Sequence, residues 1–223
     1  MHYYPDFGSL GLEEIPRRFD GADLIPSQVP LLEGLEAKIR ALRSAGIGTL
    51  EDLVRELRRK GGPAAVAART GIPEDYLVVL RRTVEAFRPK PVRIRDYPGI
   101  DPRTAETLEA AGIRESPELW EAAREDRGAA LAVRTGLPAE RIEELFRLAD
   151  LSRIPYVGAT YARAVLEAGY GGVDEVAGAE PEALDAAIQG ANARLKLYRT
   201  RIGPRDIRRL IRMAGETDDA AVR

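Results

Sequence analysis

The residues best suited to binding chemistry concentrate near the end of the chain. Residues 186–213 contain eight lysines and arginines but only one acid, Asp206. Four of these arginines recur three or four residues apart, so a helix would place them on one face, opposite an apolar face. Guanidinium groups in such an array repel one another unless an anion meets them. The four, called the arginine stripe below, are Arg205, Arg208, Arg209 and Arg212, and the apolar face consists of Ile207, Leu210, Ile211 and Ala214.

Two turns near the arginine stripe could supply a second kind of anion site. One is Ile202-Gly203-Pro204, and the other is residues 156–160, Tyr-Val-Gly-Ala-Thr. Backbone N–H groups at the start of a helix point outward and, together with the helix dipole, favour a phosphate. We favour a connector role for the 156–160 turn and consider the Gly203 turn the better anion site. The candidate anion-binding residues are Gly158, Ala159, Thr160, Arg163, Arg201 and Gly203, together with the arginine stripe.

An acidic segment leaves another interpretation of the arginine stripe open. Residues 167–185 contain six acids and no bases. The arginines could pair with this segment, or with a neighbouring chain, and the pairing would satisfy them without any nucleic acid. The observation that separates the two interpretations is whether the arginines are exposed or already paired.

Composition argues against most classes of enzyme. The chain has no cysteine and a single histidine, His2, which excludes thiol chemistry and argues against histidine triads and histidine-rich metal sites. Adjacent acids such as Glu143 and Glu144 point in different directions on a helix and do not form an acid–base pair. We therefore expect a non-catalytic protein with no cofactor, no metal and no small-molecule substrate. Without a signal-peptide pattern or an apolar run of about 18 residues, we expect a cytoplasmic protein with no membrane partner.

Two markers show that the chain repeats itself. Arg-Thr-Gly-Ile-Pro at 69–73 recurs in similar form at 134–138 and 199–204, and an Ala-Gly pair precedes each copy. Markers that recur in the same order predict three copies of one unit. The predicted organisation is an irregular arm at 1–24 packed on repeat one, repeat one at 25–88, repeat two at 92–150, repeat three at 151–215, and a flexible tail at 216–223.

The repeats are predicted to be all-α, with no sheet. Apolar residues recur at helical spacing, and Gly169 supplies the left-handed residue that commonly ends a helix. Prolines 89 and 91 separate repeats one and two, whereas repeats two and three run together and should pack as one body. We expect Trp120 to be a core residue or an anchor between repeats.

The turns carry a resemblance to a known motif. Pro155-Tyr156-Val157-Gly158, with Ala162 four residues on, resembles the helix-hairpin-helix motif, and residues 98–108 match it similarly. With the Arg-Thr-Gly-Leu-Pro segment, the chain is similar to an uncharacterised family of tandem helix-hairpin-helix proteins from bacteria and archaea. The similarity is best over 130–215, fair over 92–130 and thin before 92. It implies an all-helical fold and no known activity.

The match to the motif differs among the repeats. In repeat three Tyr156 replaces the first glycine of the motif, while Gly158 is kept. In repeat two Asp101 replaces the second glycine, and its carboxylate would repel a phosphate. In repeat one residues 31–35 are too degenerate to align.

The most specific functional hypothesis is weak, salt-sensitive binding of nucleic-acid backbone phosphate through repeat three, without sequence specificity. Single-strand base stacking is poorly supported by the sequence, because Tyr198 is the only aromatic residue among the basic ones. The alternative is a helical-repeat scaffold that binds protein, including a second copy of itself.

Overall fold

A computed structural model describes residues 2–19, 24, 26–200 and 202–219. Within these residues the chain forms thirteen α-helices and no strand, which confirms the all-α prediction. The chain divides into two compact units. The N-terminal unit is Pro5–Arg88, and the C-terminal unit consists of Met1–Tyr4 together with Pro89–Arg223.

The N-terminal unit begins inside the segment that was predicted to be an irregular arm. Phe7 and Ile15 are buried in its core, and residues 14–19 are helical. The backbone of Gly11 pairs with that of Thr49. Thr49 caps the following helix, because its hydroxyl accepts a hydrogen bond from the Asp52 N–H while the Asp52 carboxylate accepts one from the Thr49 N–H. The helices of this unit are α1 Glu14–Phe19, α2 Leu35–Ser44, α3 Leu50–Arg58, α4 Gly62–Thr70 and α5 Glu74–Glu85, with a 3-10 helix at Val29–Leu32.

The C-terminal unit contains the predicted second and third repeats in one compact body. Helix α9 packs against both α7 and α10, and α13 packs against α11 and α12. The last helix extends to Asp219, into the stretch predicted to be a flexible tail from 216. The helices are α6 Pro102–Ala110, α7 Ser116–Ala123, α8 Ala129–Thr135, α9 Ala139–Leu151, α10 Ala159–Glu167, α11 Val173–Ala177, α12 Pro181–Leu195 and α13 Pro204–Asp219, with a 3-10 helix at Ile94–Asp96.

Trp120 is buried at the centre of the C-terminal unit, as predicted. Its indole N–H donates to Asp150 Oδ1 at 2.8 Å, and the Arg153 guanidinium lies 4.5 Å from its ring centroid. Tyr3 packs edge-on against the indole, at 6.2 Å between centroids, and its hydroxyl shares a 2.7 Å hydrogen bond with Ser116. Tyr3 therefore belongs to the core of this unit, whereas the arm was expected to pack on repeat one.

Candidate nucleic-acid interface

The arginine stripe lies on α13, whose apolar face is buried as the sequence pattern predicts. Ile207, Leu210 and Ala214 are each at most 4% exposed and belong to the core of the C-terminal unit. On the other side of the helix, Arg205 and Arg208 are exposed, and Arg209 and Arg212 are half-buried. The amphipathic pattern thus presents four guanidinium groups at or near the surface.

The ion pairs of the stripe differ from residue to residue. Arg212 pairs with Glu216 at 2.8 Å, one turn further along the same helix. Arg208 makes no ion pair with any carboxylate that the structure describes. The acidic segment contributes Glu167, which pairs with Arg194 at 3.1 Å and with Arg163 at 3.5 Å, and neither arginine belongs to the stripe. Arg208 is therefore the stripe residue best placed to meet an external anion.

The turn before α10, residues 154–158, leads into a helix whose first N–H groups are open. The Val157 N–H donates to the Ile154 carbonyl at 3.1 Å, which closes the turn. Gly158 is the N-cap in extended backbone geometry, and the Ala162 N–H donates to its carbonyl at 2.9 Å. Within the described residues, no group accepts a hydrogen bond from the N–H of Ala159 or Thr160. Gly158 and Thr160 are exposed, so these donors face solvent.

The turn before α6, residues 97–101, has the same backbone form, but the Asp101 carboxylate already accepts a hydrogen bond from the start of that helix. Gly99 takes up a left-handed conformation, and the Ile100 N–H donates to the Tyr97 carbonyl at 3.2 Å. Asp101 caps α6 by accepting hydrogen bonds from the Thr104 N–H at 2.9 Å and its hydroxyl at 2.7 Å. These bonds lower the pKa of Asp101 to about 2, so the carboxylate stays charged. As the sequence indicated, this turn disfavours a phosphate.

Tyr156, in the turn before α10, interacts electrostatically with one arginine of the stripe. Its backbone is left-handed, at φ 69°, and the residue is 64% exposed. Partial burial raises the pKa of its hydroxyl, and the nearby Arg209 guanidinium acts in the opposite direction. The charge of Arg209 on α13 therefore reaches the Tyr156 hydroxyl. The sequence signal that could have identified Tyr156 is its position, since it replaces a glycine that the motif normally requires.

Arg163 is not available to an external anion, which corrects the sequence prediction. It is 6% exposed, forms a short ion pair with Glu144, and lies within 3.5 Å of Glu167. Arg153, on the other side of the turn, is 2% exposed and pairs with Asp150 at 2.8 Å. Both arginines lie inside the unit because α10 packs against α9, a tertiary contact that the local pattern does not contain.

The Gly203 turn is also less suited to an anion than the sequence suggested. Its N–H donates to the Asp206 carboxylate at 3.3 Å, so a negative charge already occupies the start of α13. Arg201, the other predicted residue here, lies outside the described residues. The turn before α10 is therefore the better anion site, the reverse of the ranking expected from the sequence.

The fold defines an all-helical protein in which two turns of one form precede α6 and α10. The chain belongs to the family described as a domain of unknown function, DUF4332, whose family model matches residues 98–217. This confirms the predicted membership of a family without a known activity. The match begins in the turn before α6 and ends in α13. No curated protein and no solved structure matches the chain.

Two kinds of feature are absent from the described residues. No helix among them is long and apolar enough to cross a membrane. Nor do three or more histidine, cysteine, aspartate or glutamate side chains in this part of the chain gather where they could hold a metal ion.

Proposed function

We propose that this is a non-catalytic helix-hairpin-helix protein that binds nucleic-acid backbone phosphate through its third repeat, without sequence specificity. The observation that carries the proposal is the open start of α10, in the same unit as the exposed Arg208 of α13. The proposed contacts are the N–H groups of Ala159 and Thr160, with Arg208 and Arg209 from the stripe.

The chemistry of this surface suits a phosphate diester. Free N–H groups at a helix start donate to phosphate oxygens, and the helix dipole adds about half a positive charge there. An exposed guanidinium such as that of Arg208 adds a full charge and several donors. All of these groups contact the backbone and none of them reads a base edge, so binding should be independent of sequence and sensitive to salt.

The turn before α6 provides an internal comparison. It has the same backbone form as the turn before α10, but Asp101 occupies the position equivalent to Gly158. That carboxylate satisfies the helix start from within the chain. One residue type thus separates a turn that is closed to anions from one that is open, and exchanging it gives a direct test.

The decisive variant is Gly158→Asp. Gly158 has extended backbone geometry, and a Cβ there would meet nothing within 4 Å, so aspartate fits without strain. The new cap should stabilise the protein by roughly a few tenths of a kcal/mol, measured by urea unfolding, because glycine is itself a tolerable N-cap residue. In fluorescence anisotropy with a labelled DNA duplex at about 20–50 mM salt, it should also weaken binding at least about tenfold. Loss of binding in a more stable protein cannot be attributed to unfolding.

A charge reversal and its matched control complete the test. Arg208→Glu should weaken duplex binding and reduce the dependence of affinity on salt, because one phosphate contact is lost. Arg134→Glu changes charge equally at an exposed position on α8 and should leave binding nearly unchanged. If Arg134→Glu weakens binding as much as Arg208→Glu does, the proposed site is wrong even though the protein binds DNA.

Absence of any binding at low salt would refute the proposed function. The alternative is then a helical scaffold that binds protein or itself. Light scattering across salt concentrations tests the version driven by charge, because the acidic 167–185 segment and the arginine stripe would then attract each other between copies. A monomer at every salt concentration would exclude self-association of this kind.

A further inference from the structure

Tyr156 is an aromatic residue that the fold holds at the surface. It is 64% exposed, whereas Ile154, two residues earlier in the same turn, is 0% exposed. On either side of Tyr156 the chain is fixed, because Pro155 and Val157 are buried. The ring is therefore presented on a rigid base and contributes little to the core.

The backbone at Tyr156 gives a second reason to ask what the side chain does. Its φ of 69° lies in the left-handed region, which suits glycine and is unfavourable for an aromatic residue. The turn before α6 has Gly99 at the equivalent position, with φ 84°. A glycine would make the turn before α10 at lower cost. Neither packing nor backbone geometry thus explains a tyrosine at this position.

The surroundings of the ring indicate a ligand for it. The charge of Arg209 acts on the hydroxyl, and the open N–H groups of Ala159 and Thr160 follow three and four residues after Tyr156. A phosphate held by the N–H groups of Ala159 and Thr160 would bring the attached nucleotide to the ring. Aromatic side chains beside a cationic groove stack on bases, and they do so with little preference among bases.

We propose that Tyr156 stacks on an unpaired base, so that the site prefers single-stranded nucleic acid, or a frayed end, over an intact duplex. Inside a duplex both faces of each base are covered by neighbouring bases, and Tyr156 could reach none of them. This inference rests on the proposed function and specifies its substrate. It also changes the expectation from the sequence, in which Tyr198 was the only aromatic residue among the basic ones.

A hydroxyl contact is the main competing role for Tyr156, since tyrosine can also donate a hydrogen bond to a phosphate oxygen. The two roles make different predictions. Stacking requires the ring and a base, whereas phosphate contact requires the hydroxyl and no base. Tyr156→Phe removes the hydroxyl alone. An abasic strand, which keeps phosphates and sugars without bases, removes the stacking partner alone.

The experiment compares three labelled DNA probes by fluorescence anisotropy at low salt. They are a mixed-sequence single strand, an abasic strand of equal length, and a duplex closed at both ends by non-nucleotide linkers. Tyr156→Gly should weaken binding of the single strand roughly 5- to 100-fold. It should leave the abasic strand and the closed duplex unchanged, and Tyr156→Phe should resemble the unaltered protein with all three probes. Glycine suits the left-handed backbone, so a thermal melt should show no loss of stability.

Several results would overturn the inference, and they differ from failure of the proposed function. Equal weakening of all three probes by Tyr156→Gly would make Tyr156 a phosphate contact. No change with any probe, while Arg208→Glu weakens all three, would leave the phosphate site intact and remove the stacking role. If no probe binds the unaltered protein, the proposed function fails and this inference fails with it.

Discussion

The Asp150 carboxylate joins three elements of the C-terminal unit, and its removal should be strongly destabilising. It accepts hydrogen bonds from the Trp120 indole N–H at 2.8 Å, from the Arg153 guanidinium at 2.8 Å and from the Val173 N–H at 2.9 Å. These donors come from α7, from the residues just after α9, and from the start of α11. The perturbation is Asp150→Ala, which removes all three acceptor contacts at once.

The magnitude follows from the burial of these donors. Trp120 and Arg153 are 3% and 2% exposed, so they lose a charged acceptor at a largely buried position. A hydrogen bond to a charged group contributes about 1.5–3 kcal/mol, and the three bonds share one acceptor and are not additive. We expect Asp150→Ala to lower the free energy of unfolding by about 3–5 kcal/mol, a large fraction of the total stability of a small domain. With a urea m-value of about 2 kcal/mol per molar, the midpoint should fall by about 2 M.

The assay is urea unfolding followed by circular dichroism and by the fluorescence of Trp120, the only tryptophan. Trp120 lies in the C-terminal unit, so its signal reports on that unit specifically. Asp174→Asn, at an exposed neighbouring position, is the matched control and should change stability by less than about 0.5 kcal/mol. A loss below about 1 kcal/mol for Asp150→Ala would refute the view that this carboxylate organises the core.

The remaining predictions concern the pH dependence of stability, one ion pair and two glycines. Burial raises the pKa of Tyr97 from 10.0 to about 12, so its contribution to stability should be complete below pH 10 and be lost as pH rises toward 12; urea midpoints across this range should fall less steeply in Tyr97→Phe. Glu144→Gln removes a carboxylate partner of the buried Arg163 and should cost about 1–3 kcal/mol by the same unfolding assay. Gly112→Ala should cost about 1 kcal/mol, because φ there is 82° and a Cβ meets nothing within 4 Å; Gly190→Ala, inside α12, should instead stabilise the protein in a thermal melt.

Features that depend on neighbours along the chain could be predicted from the sequence. Gly112 and Gly169 end their helices with positive φ because that preference belongs to glycine itself. The apolar face of α13 follows from residue spacing alone. Asp101 was expected to oppose a phosphate, and it caps α6 because its carboxylate reaches N–H groups only three residues away.

Features set by distant contacts could not be predicted in this way. Arg163 is buried and forms an ion pair with Glu144, which lies on another helix. The sequence suggested that the Gly203 turn was open to an anion, because a sequence does not show which way the Asp206 side chain points. In the structure the Asp206 carboxylate accepts a hydrogen bond from the Gly203 N–H. The effect of the Arg209 charge on the Tyr156 hydroxyl depends on the packing of the last helix. A residue pattern can therefore identify candidate anion-binding surfaces, but the packing decides which of them stay open.

Tyr3 has a consequence for the order in which this protein assembles during synthesis. It emerges from the ribosome more than a hundred residues before Trp120, the ring against which it packs. Pro5–Arg88 can collapse as soon as it is synthesised. Tyr3 can pack only after Ser116 and Trp120 have been synthesised. The packing of Tyr3, which is synthesised early, is thus a late step in folding. A chain interrupted before residue 116 would lack both Ser116 and Trp120, the two groups that hold the Tyr3 side chain in the core.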